Sequence, residues 1–95
     1  MGGGLVAGES VVVIGPGPIG LLAVAVAKAL GASPVVLTGI RNRRLAMGRE
    51  VGADRVININ DEDAVAVVRQ LTGGIGADYV VECAGNEATI NQAIT

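Results

Sequence analysis

Histidine is absent from this chain, cysteine occurs once, and the only aromatic residue is a single tyrosine. A tetrahedral zinc site takes about four ligands, mostly Cys or His, so a chain whose only such residue is Cys83 does not build one. An internal disulfide is excluded as well. One thiol without a secretion signal points to the reducing cytoplasm. With no Phe or Trp, the core has to be made of Val, Ile, Leu and Ala, as in a buried parallel sheet. A net charge of −2 provides no electrostatic footprint for nucleic acid. Membrane-length apolar runs are missing too. The longest candidate, Val11 to Ala27, is broken by Gly15-Pro16-Gly17-Pro18, and the pieces are too short to cross about 30 Å of hydrocarbon. The chain is 95 residues long and 51% apolar, enough for one small domain with a packed core.

What is present centres on Val11–Gly20, VVVIGPGPIG. Four β-branched residues, Val11 to Ile14, favour a buried strand. The spacing Gly15-x-Gly17-x-x-Gly20 follows, and then an apolar run, Ile19 to Leu30, of helix-like composition. Strand, glycine turn and helix form the context in which this spacing binds a dinucleotide. Gly15 turns the chain out of the strand, Gly17 lets a pyrophosphate approach the backbone, and Gly20 lets the helix pack closely. The free N–H groups and the positive dipole end of the helix then face the phosphate. Pro16 and Pro18 fall where a missing N–H costs little, and they stiffen the loop.

The remaining segments alternate. Met1–Ser10 reads as a glycine-rich loop and Val11–Ile14 as the first strand. A helix is expected from Pro18 to about Leu30, stopped by Gly31. It is apolar nearly all round, so one face packs on the sheet and the other wants a cover. Pro34–Thr38 is the second strand, Asn42 to Val51 the second helix, and Asp54–Asn58 the third strand. A third helix begins after Asp61-Glu62-Asp63, with Val65, Val68 and Leu71 as its apolar stripe. Asp78–Cys83 is the fourth strand, and Asn86 is placed to cap a last helix. This βαβαβαβα order predicts an α/β fold. It is a three-layer, Rossmann-like, doubly wound parallel sheet over residues 1–95, partial, with about four strands in the order 3-2-1-4. The ligand site is expected at the carboxyl ends of strands one and four.

An NAD-binding fold places an acid after the second strand to accept bonds from the adenosine ribose. Here that stretch reads Thr38-Gly39-Ile40-Arg41-Asn42-Arg43-Arg44, with Gly39 where the acid is expected. A carboxylate would repel a 2′-phosphate, whereas Gly39 leaves room for one and Arg41 can grip it with a planar fork of donors. A partly exposed charge pair at about 4 Å contributes on the order of 1–4 kcal/mol. NADP is therefore the cofactor expected, with NAD as the alternative. The competing reading makes the arginines a solvated helix start, although positive charge there opposes the dipole.

Three stretches together resemble the cofactor domain of zinc-dependent medium-chain alcohol dehydrogenases, in particular the sorbitol and threonine dehydrogenase branch. They are Val12–Gly20, Glu50–Asn58 (EVGADRVIN) and Gly74–Asn86 (GIGADYVVECAGN). The resemblance implies a longer oxidoreductase that acts on CH–OH groups, with a catalytic zinc and substrate pocket in another domain and no activity in this chain alone. It implies a nicotinamide dinucleotide as partner, held through Gly15, Gly17, Pro18, Ile19, Gly20, Gly39, Arg41, Arg44 and Ala84. Gly39 and Arg41 match the pair that reads the 2′-phosphate in NADP-dependent members. Arg44 matches a basic position near the adenosine ribose, and Ala84 a backbone position lining the cofactor.

Other chemistry-bearing residues have plainer readings. Cys83 ends a buried strand with no His to activate it. Glu82 is a strand-end carboxylate, and Asp61-Glu62-Asp63 is a dipole match at a helix start. Two rival functions remain at this level. One is an S-adenosylmethionine methyltransferase, which also has a glycine turn but usually an acid after strand two. The other is a non-catalytic dinucleotide-sensing module. An open fourth strand and an under-covered first helix predict a homo-oligomer.

Overall fold

A computed structural model describes residues 8–15, 17–84 and 87–92. Eight elements follow one another: β1 (Val11–Ile14), α1 (Gly17–Ala29), β2 (Val35–Gly39), α2 (Asn42–Glu50), β3 (Arg55–Asn58), α3 (Ala64–Leu71), β4 (Tyr79–Ala84) and β5 (Glu87–Gln92). They form one sheet in the order β3-β2-β1-β4-β5. The first four strands are mutually parallel, with Val11 level with both Val35 and Tyr79. This is the 3-2-1-4 order read from the sequence, extended by one strand.

The added strand is a correction. Residues 87–92 do not form the expected last helix; they run antiparallel to β4, with Val81 opposite Ile90. Asn86, its expected cap, lies outside the described residues. The outer edge of β4 presents backbone donors and acceptors that require partners, and the following segment supplies them. An isolated short helix is marginal in water, and Thr89 and Ile90 are β-branched. The fourth strand is therefore not an open edge. The sheet ends at β3 and β5.

The valine runs are buried on both faces. Val11, Val13, Val35, Leu37, Tyr79 and Val81 pack against Val24 and Ala27 of α1 and Leu45 of α2. The alternate residues Val12, Val36 and Ile57 pack with Val68 of α3 and Ala77. Fully burying one such side chain contributes about 1.5–3 kcal/mol. Gly48 brings α2 close to the sheet, because a Cβ there would overlap the Leu37 side chain.

The stripe of α3 also differs from expectation. Val68 is buried, but Val65 and Leu71 are exposed, and Ala64 and Val67 complete the packed face. With its start set by the Asp63 cap, the helix turns positions 64, 67 and 68 toward the sheet.

Two Gly-Ala-Asp triplets brace the edge opposite the glycine turn. The Asp54 carboxylate accepts from the Val35 backbone N–H at 2.7 Å and from Lys28 Nζ at 3.1 Å. Asp78 accepts from the backbone N–H and hydroxyl of Ser10 at 2.8 and 3.1 Å, and its own N–H donates to Ser10 Oγ. Each aspartate enters its strand while holding the start of another. Among the described residues, no helix is long and apolar enough to cross a membrane.

Candidate functional site

The turn between β1 and α1 is built on close approach. Gly15 has φ +133°, and a Cβ there would run into the Cys83 carbonyl oxygen of β4. A Cβ on Gly20 would stand 3.1 Å from the Gly15 carbonyl oxygen, so this glycine keeps α1 against the turn as well as the sheet. Gly17, with φ +84°, behaves differently. Its missing Cβ leaves open space whose nearest neighbour is Arg44 Nη1, 3.4 Å from the Cβ position. A guanidinium from α2 thus reaches the mouth of the glycine turn. Pro16 lies outside the described residues, and Pro18 is exposed at the first turn of α1.

A cleft of about 470 Å³ opens at the carboxyl ends of β1 and β2. It brings together Gly15, Gly17, Gly39, Arg41 and Arg44 from the sequence-derived set. Apolar side chains that sequence reasoning did not single out complete it, among them Leu21, Ile40 and Ile59. Their signal was weak, because an isoleucine just past a strand reads as core. Two of the apolar walls, Ile40 and Ile59, are instead more than half exposed. Among the described residues the cleft spans the ends of β1 and β2 and the residue after β3. Pro18, Ile19 and Gly20 do not line it. Ile19 packs on the core, and Ala84 closes β4.

The electrostatics have one sign. Arg41 and Arg44 are the charged residues of the lining, and no carboxylate lines it among the described residues. Neither α1 nor α2 has an acid in its first turn, and Arg41 precedes α2 without a side-chain cap bond. Main-chain donors at that end of α2 are thus left for an anion. α3 is the contrast: Asp63 accepts from Val65 and Ala66 N–H and fills its own helix start. A dinucleotide suits this cleft, since the open Gly17 backbone admits a phosphate and the apolar walls suit an adenine.

Cys83 is 6% exposed beneath the turn, and burial pushes its thiol pKa up, away from the reactive thiolate. Glu82 is exposed, and Glu62 pairs with Arg55. Zinc does not fit this chain: it has no His and one Cys, and no group of three His, Cys, Asp or Glu clusters among the described residues.

Comparison with known proteins agrees with this geometry. A family model described as zinc-binding dehydrogenase matches residues 18–95. The chain is 47% identical over 88 residues to L-threonine 3-dehydrogenase of Bacillus velezensis, covering 93% of this chain and 25% of that protein. It is 40% identical over 94 residues to sorbitol dehydrogenase of Homo sapiens, covering 97% of this chain and 26% of that protein. Among solved structures, alcohol dehydrogenase TADH from Thermus sp. ATN1 superposes with a TM-score of 0.79 at 41% identity, over 85% of this chain and 23% of that one. The chain therefore spans about a quarter of the length of the curated relatives it matches. The methyltransferase alternative has no support in these matches. The glycine turn, the parallel sheet and the matched model together make this chain a member of the zinc-dependent medium-chain alcohol dehydrogenase family.

Proposed function

We propose that the cleft binds the adenosine and pyrophosphate half of a nicotinamide dinucleotide, with NADP(H) preferred over NAD(H). In this reading the chain is the cofactor-binding portion of an oxidoreductase acting on an alcohol or polyol, working in the cytoplasm. The observation that carries it is the pairing of two arginines with a glycine where an acid would face the ribose. Gly15 turns the chain tightly against β4, Gly17 leaves the backbone open to the pyrophosphate, and Pro18, Ile19 and Gly20 form the first turn of α1 beneath it. Arg44 reaches toward Gly17, and Arg41 stands over the ribose end beside Gly39. Ala84 borders the far side at the end of β4. The bound cofactor supplies a hydride acceptor or donor at its nicotinamide, and this chain's residues bind and orient it.

Because Arg41 is solvent-exposed, its contribution falls at the lower end for a charge pair. The expected preference for NADPH over NADH is about tenfold in dissociation constant. Fluorescence titration of the chain with each cofactor measures it, and equal or tighter NADH binding overturns the preference. The proposal extends to self-association through α1, whose outward stripe is apolar.

A further inference from the structure

The loop that would discriminate the 2′-phosphate, Gly39 to Asn42, does not stand by itself. It is tied to the end of β3. Ile59 N–H donates to the Gly39 carbonyl at 3.0 Å, a main-chain tie. Beside it, the Asn58 side-chain amide donates to the Asn42 Oδ1 at 2.9 Å and to the Ile40 carbonyl at 3.4 Å. The orientation of that amide is itself held, because Asn58 Oδ1 accepts from the Asn60 N–H at 3.0 Å. An N–H donor on the oxygen side leaves the NH₂ group facing the loop. One side chain thus grips both flanks of Arg41: the carbonyl before it and the first residue of α2 after it. Arg41 makes no side-chain bond to the start of α2; its carbonyl accepts from the Arg44 and Leu45 N–H groups, each at 3.1 Å, and Asn58 fixes the residues on either side of it.

We infer that Asn58 is a positioning residue for cofactor choice, holding Ile40 and Asn42 so that Arg41 and the amino end of α2 present one geometry to a 2′-phosphate. This rests on the NADP(H) reading above. Asn58 does not line the cleft, so its effect passes through the loop. Loss of its hydrogen bonds should loosen the phosphate end while leaving the pyrophosphate end, built on Gly15, Gly17 and Arg44, as it was.

The test uses two small probes, adenosine 2′,5′-bisphosphate and 5′-AMP, titrated calorimetrically into the wild-type chain and into Asn58→Ala, Asn42→Ala and the double variant. The wild type should prefer the bisphosphate. Asn58→Ala should reduce that preference about three- to tenfold, the range set by one or two hydrogen bonds, with 5′-AMP affinity unchanged. Asn42→Ala should reduce it less, and the double variant should lose no more than Asn58→Ala alone. A wild type that prefers the bisphosphate and an Asn58→Ala variant that keeps the full preference would overturn the inference alone. Equal weakening of both probes would also overturn it, since it marks a general structural role. A wild type without preference would overturn the NADP(H) reading and the inference with it. Should Asn58→Ala lack a cooperative thermal transition, Asn42→Ala decides, because it removes only an exposed partner.

Discussion

Gly39 is the position at which one atom group can switch the chemistry of the cleft. A Cβ there would sit 3.5 Å from Leu45 Cδ2, an ordinary contact, so a side chain fits without moving the backbone. Gly39→Asp would put a carboxylate beside the adenosine ribose, where it repels a 2′-phosphate and accepts from free hydroxyls. We expect the variant to bind NADH more tightly than NADPH, reversing the wild-type order, when the two dissociation constants are compared in one buffer. A variant that still favours NADPH would place the discriminating contact elsewhere than Gly39. The same scale shows where residue reading reached its limit. That Gly15, Gly17, Gly39 and Arg41 would meet in one cleft was legible because backbone freedom and charge mark them in the sequence. Ile40 and Ile59 were not, because an apolar residue looks the same whether it faces a core or an adenine.

Among the elements, the parallel strands depend on aspartates at their starts. Asp78 satisfies both the backbone N–H and the hydroxyl of Ser10, and Ser10 is buried. Asp78→Ala leaves that buried donor without its acceptor, which should cost about 1–3 kcal/mol in urea unfolding. Asp78→Asn keeps an acceptor oxygen and should lose less. An Ala variant as stable as wild type would mean that β1 and β4 do not need this brace. The recurring Gly-Ala-Asp triplet was visible in the sequence only as part of a resemblance. Its role became clear once Asp54 and Asp78 were seen to do the same job on neighbouring strands. The α3 stripe and β5 show the opposite case. Spacing put Val65 and Leu71 on one stripe with Val68, whereas the helix that starts at the Asp63 cap buries Ala64 and Val67 beside it. The segment after β4 carries no period strong enough to choose helix or strand, and the edge of β4 chose for it.

For the molecule as a whole, the outward side of α1 stands out. Leu22, Val26 and Leu30 recur every fourth residue and are 60%, 49% and 53% exposed. Such a stripe needs a cover in water. We expect concentration-dependent self-association in sedimentation experiments, weakened by Leu22→Glu and Val26→Glu together. A monomer at high concentration would remove the expectation. One of its two original grounds, an open fourth strand, is gone, because β5 occupies that edge. What remains is the helix face, which the one-sided burial of Val24 and Ala27 already implies.

The sequence alone determined the succession of strands and helices from β1 to β4, the 3-2-1-4 order and the glycine turn, because each rests on local preference: β-branching, glycine spacing and the hand of crossover connections. It also determined that the chain has no His and a single Cys to offer a metal, because that is a matter of residue count. Tertiary structure decided which face of α3 is buried, how the last segment pairs, and that Arg44 meets Gly17 across 27 positions of chain. These depend on which surfaces and backbone groups lie within reach after folding, and distance through space is not written in any short stretch of residues.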